Sequence, residues 1–155
     1  MKLIALSLYL FLFFSLGQGL SYAWAEASPP NAAQPSQRDR GAYLAKMGDC
    51  FSCHTSAHHP DFAGGFPLKT PFGTLETPNI TPDNDTGIGR WTKAEFAQAL
   101  RQGRSPKGEH YFPAFPYPYF STMRDEDIDA LYAYFMSLPP VHQVNKPLHF
   151  PFNLP

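Results

Sequence analysis

Chemistry is concentrated in one short stretch, Cys50-Phe51-Ser52-Cys53-His54, which holds both cysteines of the chain. C-x-x-C-H is the attachment signature of a c-type haem. On one helical turn, residues i and i+3 can each form a thioether with a porphyrin vinyl group. A histidine at i+4 can turn its imidazole to the iron as the proximal ligand. Other uses of the pair fit less well. A structural disulfide gives no reason for the adjacent His54, and a thioredoxin-like redox pair normally comes with a βαβ pattern that is absent here. Zinc would need four ligands, and there is no second cysteine pair. The expected cofactor is one covalently bound haem c, with Cys50 and Cys53 on its vinyls and His54 on the metal.

The sixth position on the iron separates an electron carrier from a catalyst. Beyond the N-terminal leader the chain has Met47, Met123 and Met136. Met47 precedes Cys50 by three residues and Met136 lies inside a helical pattern, so both read as packing residues. Met123 ends a proline-rich loop just before that helix, where a chain can cross the distal face, and it is the expected distal ligand. His110 is the weaker alternative. His/Met coordination would raise the reduction potential and close the iron to substrates. An open sixth site would instead mean a haem enzyme or a gas-binding sensor. Trp91, Arg101 and Arg104 are expected to hydrogen-bond or pair with haem propionates, against a competing reading of each arginine as a solvated helix face. His58 and His59 follow the haem motif too closely to reach the distal side. Asp83-Asn84-Asp85-Thr86-Gly87 is not a calcium loop, because its glycine is at position 5 and Ala94 stands at position 12.

Few segments of the chain can hold this chemistry in place. Residues 1–25 read as a signal peptide: Lys2, an apolar run from Leu3 to Leu16, then Ala23-Trp24-Ala25 as a small-x-small cleavage site. Export follows, with an uncleaved N-terminal membrane anchor as the alternative. Residues 26–38 are Pro-, Ala- and polar-rich and read as a disordered lead-in. A cytochrome-sized domain, 39–140, begins with a helix-compatible stretch from Asp39 to Cys50. Residues 54–91 show no sustained periodicity and read as a long loop of the kind that wraps a ligand. Thr92 and Glu95 form a capping box for a second helix, which Gly103 stops. Ile128, Leu131, Tyr132 and Phe135 mark the strongest helix, behind Asp125, Glu126 and Asp127. The tail, 141–155, is extended and shows no partner within the chain. With the aromatic loop 111–120 it is the expected docking surface.

Past the leader only 24 of 130 residues are Leu, Ile, Val or Phe, under the ~20% level at which disorder becomes a serious reading. All 17 prolines lie in that part. A Val/Ile-rich parallel sheet is excluded. A porphyrin would supply the missing apolar volume, so the expected fold is all-α, three main helices with long Pro/Gly-rich loops wrapped around one covalent haem. A net charge of −1 without a basic stripe argues against nucleic acid as a partner.

The segments RGAYLAKMGDCFSCHT, FAGGFPLKTPFGTLETPNITPDNDTGIGRWT, HYFPAFPYPYF and DEDIDALYAYFMSLPPV resemble the cytochrome c subunits of membrane-bound bacterial alcohol, gluconate and fructose dehydrogenases, over roughly residues 38–153. The order of motif and helices is similar to the class I cytochrome c fold, whose N- and C-terminal helices cross beside the haem. Gly41 would then meet Tyr132 or Phe135. The resemblance implies periplasmic electron transfer from a dehydrogenase donor to another cytochrome, an oxidase or a quinone. Membrane association would come peripherally, through a complex. It matches Met123 to a methionine before the last helix and favours Trp91 over the arginines. Two departures stand out. The relatives typically carry three such domains against one here, and Phe115 stands where many have a methionine.

Overall fold

The computed structural model describes residues 35–71 and 73–146. The leader 1–25, most of the lead-in and the tail beyond 146 lie outside the described residues. Helix α1 (Gln37–Met47) begins where Ser36 can cap it: its hydroxyl accepts from the Asp39 N–H, and the Asp39 carboxylate accepts from the Ser36 N–H at 3.2 Å. It therefore starts two residues before the expected Asp39. It also stops short of Cys50, because Asp49 adopts a left-handed backbone at φ 52. Aspartate tolerates that region through local hydrogen bonding, and the Ser52 hydroxyl donates to Asp49 Oδ1 at 2.6 Å. The cysteine motif thus forms a separate turn of helix, α2 (Cys50–His54).

The expected long loop contains a hairpin, so the all-α expectation is incomplete. β1 (Pro67–Thr70) pairs antiparallel with β2 (Gly73–Glu76), Leu68 opposite Leu75. Strands of four residues flanked by prolines and glycine leave too short an alternation to read from sequence. Helix α3 (Lys93–Gln102) carries the Thr92–Glu95 capping box and ends at Gly103, whose φ of 62 lets its N–H reach the Ala99 carbonyl at 3.0 Å. A Cβ on Gly103 would also lie 2.5 Å from the Tyr117 ring. A 3₁₀ turn, Tyr117–Tyr119, precedes helix α4 (Asp125–Met136).

α1 and α4 cross at Gly41. A Cβ there would overlap the Ala130 carbonyl oxygen and lie 2.6 Å from Tyr134 Cβ, so only glycine permits the approach. The contact falls on Ala130 and Tyr134 rather than on Tyr132 or Phe135, because those two rings are engaged elsewhere. The Tyr132 hydroxyl donates to the Trp91 carbonyl at 2.8 Å, and Phe135 packs edge-on to Phe62 at 5.5 Å. Arg40 Nε donates to Asp127 Oδ1 at 2.8 Å across the same crossing. The buried apolar cluster comprises Ala45, Phe62, Ile88, Phe96, Ile128, Leu131 and Phe135. At about 1.5–3 kcal/mol per fully buried large side chain, a cluster of this size is a small protein-only core. Among the described residues no helix is long and apolar enough to cross a membrane.

Candidate haem site

The short helix α2 sets Cys50, Cys53 and His54 within one turn. Neither cysteine is in a disulfide. Cys53 is exposed, whereas Cys50 is half-buried, and burial pushes its thiol up to about 11. A thiol held protonated is the opposite of the low-pKa thiolate of a dithiol redox pair.

His54 is oriented by its backbone partner. Nδ1 lies 2.8 Å from the Pro78 carbonyl oxygen. A carbonyl can only accept, so Nδ1 carries the proton and the Nε2 lone pair is left for a metal. Burial lowers the imidazole pKa, with the Pro78 bond working the other way. The neutral form that results is the ligating form.

The segment bearing Pro78 is cross-braced. Ile80 N–H donates to the Phe62 carbonyl at 2.9 Å and Thr77 N–H to that of Phe66 at 3.0 Å. Asn79, only 3% exposed, uses its whole amide. Its Nδ2 donates to Thr86 Oγ1 at 3.0 Å and to the Val141 carbonyl at 2.7 Å, while Oδ1 accepts from Thr81 N–H and Thr81 Oγ1. Val141 N–H returns a bond to Thr81 Oγ1 at 3.1 Å, Gln143 N–H donates to Thr86 Oγ1 at 3.0 Å, and Lys146 N–H donates to Glu76 Oε2 at 2.7 Å. Residues 141–146 are therefore a strap laid on this segment, which corrects the expectation that the tail has no partner in the chain. Asp83 Oδ1 accepts from Asp85 N–H, Thr86 N–H and Thr86 Oγ1, so that carboxylate closes its own turn.

An apolar cavity of about 190 Å³ lies between α1, α3 and α4, walled by Leu44, Cys50, Phe96, Leu100, Phe120, Met123 and Leu131. It brings together the expected thioether position and the expected distal methionine. Met47 lines it too, but with 66% of its surface exposed rather than packed in a core. Met136 packs on the buried cluster instead. A second cavity, of about 560 Å³ and mixed polarity, is walled by Pro78, Ile80, Arg90, Trp91, Lys107 and Tyr111. Helix α3 borders both, giving Phe96 and Leu100 to the first and Glu95 to the second. These donors fit a haem: a half-buried and an exposed cysteine, an imidazole with Nε2 available, a thioether across an apolar space, and cations beside a polar space for propionates. Trp91 stands on the polar cavity. Arg101 does not line either one; its Nη2 donates to the Met123 carbonyl at 2.5 Å and to Asp125 Oδ1 at 2.7 Å. Arg104 pairs with His110 in a short antiparallel bridge, and that histidine is exposed. Sequence reasoning missed Pro78, Asn79, Thr81 and the strap.

The family model for cytochrome c matches residues 38–139. The chain belongs to the cytochrome c family. This cytochrome is similar to the cytochrome c subunit of the quinone alcohol dehydrogenase of Gluconacetobacter polyoxogenes, at 52% identity over 108 residues. It is also similar to the gluconate 2-dehydrogenase cytochrome c subunit of Pantoea cypripedii, at 47% over 116 residues. A third relative is the fructose dehydrogenase cytochrome subunit of Gluconobacter japonicus, at 40% over 135 residues. These matches cover 69%, 74% and 83% of this cytochrome but only 23%, 26% and 27% of the respective relatives. The chain therefore spans about a quarter of the length of these relatives. Members of the family bind haem c covalently, which agrees with the Cys50–His54 turn.

Proposed function

We propose that this chain is a monohaem cytochrome c of the class I fold that carries single electrons in the periplasm, from a dehydrogenase toward the respiratory chain. The observation that carries the reading is the shared apolar cavity of Cys50 and Met123, beside a histidine whose Nδ1 is already committed to Pro78. Cys50 and Cys53 hold the haem by its vinyls, His54 Nε2 and Met123 Sδ take the iron, and Trp91 takes a propionate. When bound, the haem supplies a one-electron iron couple. The protein's part is positional. Pro78 fixes the imidazole tautomer, Leu44, Phe96, Leu100 and Leu131 keep water from the sulfur side, and the exposed Cys53 leaves the attachment edge near the surface. Helices wall the sulfur side and a loop brings the thioether, so the ligand is presented without any substrate-sized opening being needed.

Donor identity rests on the relatives, which are named as cytochrome subunits of alcohol, gluconate and fructose dehydrogenases. Export rests on the leader sequence, with cleavage expected before Glu26. The test is spectroscopic. The purified ferric holoprotein should show the weak near-infrared Met–Fe band, bind carbon monoxide slowly when reduced, and take up one electron per chain from a dehydrogenase of the kind its relatives serve. A missing band with rapid carbon monoxide binding would establish the open-site enzyme or sensor instead. Retention of residues 1–25 in the membrane fraction would establish an anchor.

A further inference from the structure

The loop that delivers Met123 packs Tyr117 on Gly103 and Phe120 into the cavity wall, but its hydrogen bonding to the rest of the protein runs through one side chain. Within residues 112–123 the backbone bonds are local: Phe115 to Phe112, Tyr119 to Pro116, Phe120 to Tyr117, Ser121 to Pro118 and Met123 to Phe120. The rings are local too, with Phe115 stacked on Phe120 at 6.0 Å and edge-on to Tyr111 at 5.9 Å. Among the described residues the only hydrogen bond from this stretch to a distant segment is the one that Arg101 Nη2, on α3, donates to the Met123 carbonyl at 2.5 Å. The same nitrogen donates to Asp125 Oδ1 at 2.7 Å, in the first turn of α4. One guanidinium thus fixes the Met123 backbone against α3 and α4, two of the three helices that wall its cavity.

We propose that Arg101 is a positioning residue for the distal thioether, holding Met123 on the iron rather than binding a propionate. The proposal rests on the reading of Met123 as axial ligand and extends it. A neutral thioether is a weak partner for ferric iron, so its retention depends on how little the loop must be reordered to keep it there. Arginine suits the task because its charge does not titrate and the two N–H groups of Nη2, held in the guanidinium plane, meet a carbonyl and a carboxylate together. A lysine keeps the charge and loses that fixed plane.

The experiment follows the near-infrared Met–Fe band of the ferric holoprotein as pH is raised, in wild type, Arg101→Gln, Arg101→Lys and, as a control, Lys93→Gln. The control breaks a comparable ion pair of α3 with Asp129. Arg101→Gln is expected to lose half the band about one pH unit below wild type, the tenfold weaker retention that follows from losing one charge-assisted hydrogen bond. Arg101→Lys should fall between them and Lys93→Gln should match wild type. A merely structural role would lower the melting temperature of Arg101→Gln and Lys93→Gln alike without moving the midpoint, and that result overturns the proposal. If Arg101→Gln fails to accumulate, Arg101→Lys and Asp125→Asn are read in the same way, and unchanged midpoints in both overturn it. A wild type with no Met band at any pH removes the axial assignment and the proposal with it, whereas a wild-type band with an unmoved variant removes the proposal alone.

Discussion

The loop beside His54 and the loop that ends at Met123 are both proline-rich, and they are held in contrasting ways. The first is bonded to Phe62, Phe66 and Thr86 and is strapped by Val141, Gln143 and Lys146, with a fully bonded Asn79 next to Pro78. The second is a cluster of rings with one outward hydrogen bond, from Arg101. The nitrogen side is thus built to stay and the sulfur side to be held lightly. A cross-braced network opens as a unit, while a segment with a single outward hydrogen bond opens locally at lower free energy.

The most drastic change erases both sides. Replacing Cys50 and Cys53 together with serine prevents covalent attachment, and a buried cluster of seven residues should not sustain the fold alone. Circular dichroism should show no cooperative melt for that variant. A well-folded apo form contradicts the view that the haem is the core. Next, Met123→Ala should abolish the near-infrared band and speed carbon monoxide binding while leaving the strap intact. An unchanged spectrum would move the ligand to Met47, which lines the same cavity.

Asn79→Ala tests the braced side. It removes four hydrogen bonds, to Thr86, Val141 and Thr81, and leaves the Thr81 N–H without its partner, which should cost about 2–4 kcal/mol at roughly 1 kcal/mol net per hydrogen bond. Hydrogen exchange at Val141 and Gln143 should accelerate, with the pH midpoint of the Met band unmoved. If the midpoint moves as far as in Arg101→Gln, the two sides are not independent.

The weakest response is acid-dependent. The Arg40 guanidinium holds the Asp127 carboxyl below its ordinary 3.8, and the hydrogen bonds from Thr86 do the same for Asp83. A carboxylate depressed in the folded state contributes stability that is complete above the ordinary value and is lost as pH falls through the lower folded one. Melting temperature should thus be flat above about pH 5 and decline below 3.8. Asp127→Asn should flatten part of that decline, and an identical acid profile would show that the α1–α4 pair contributes nothing.

What could be read from sequence follows a physical division. The Cys50–His54 turn, the Thr92–Glu95 cap and the Ile128–Phe135 stripe are local patterns, each complete within a dozen residues. On the other loop the sequence shows Met123 at the end of a proline-rich stretch, just before the last helix. The bonds that hold the site were not legible, because they end on backbone carbonyls far along the chain: His54 on Pro78 at 24 residues, Arg101 on Met123 at 22, Asn79 on Val141 at 62. Every residue has such a carbonyl, so composition and spacing cannot say which is used. The break at Asp49 was hidden for a related reason, since its left-handed backbone has no signature beyond a residue that tolerates it.

The strap also bears on force. Tension applied at residue 146 would reach the rest of the domain through the bonds to Glu76, Thr86, Thr81 and Asn79. The load would enter at residues 76–86, far in sequence from the thioether loop.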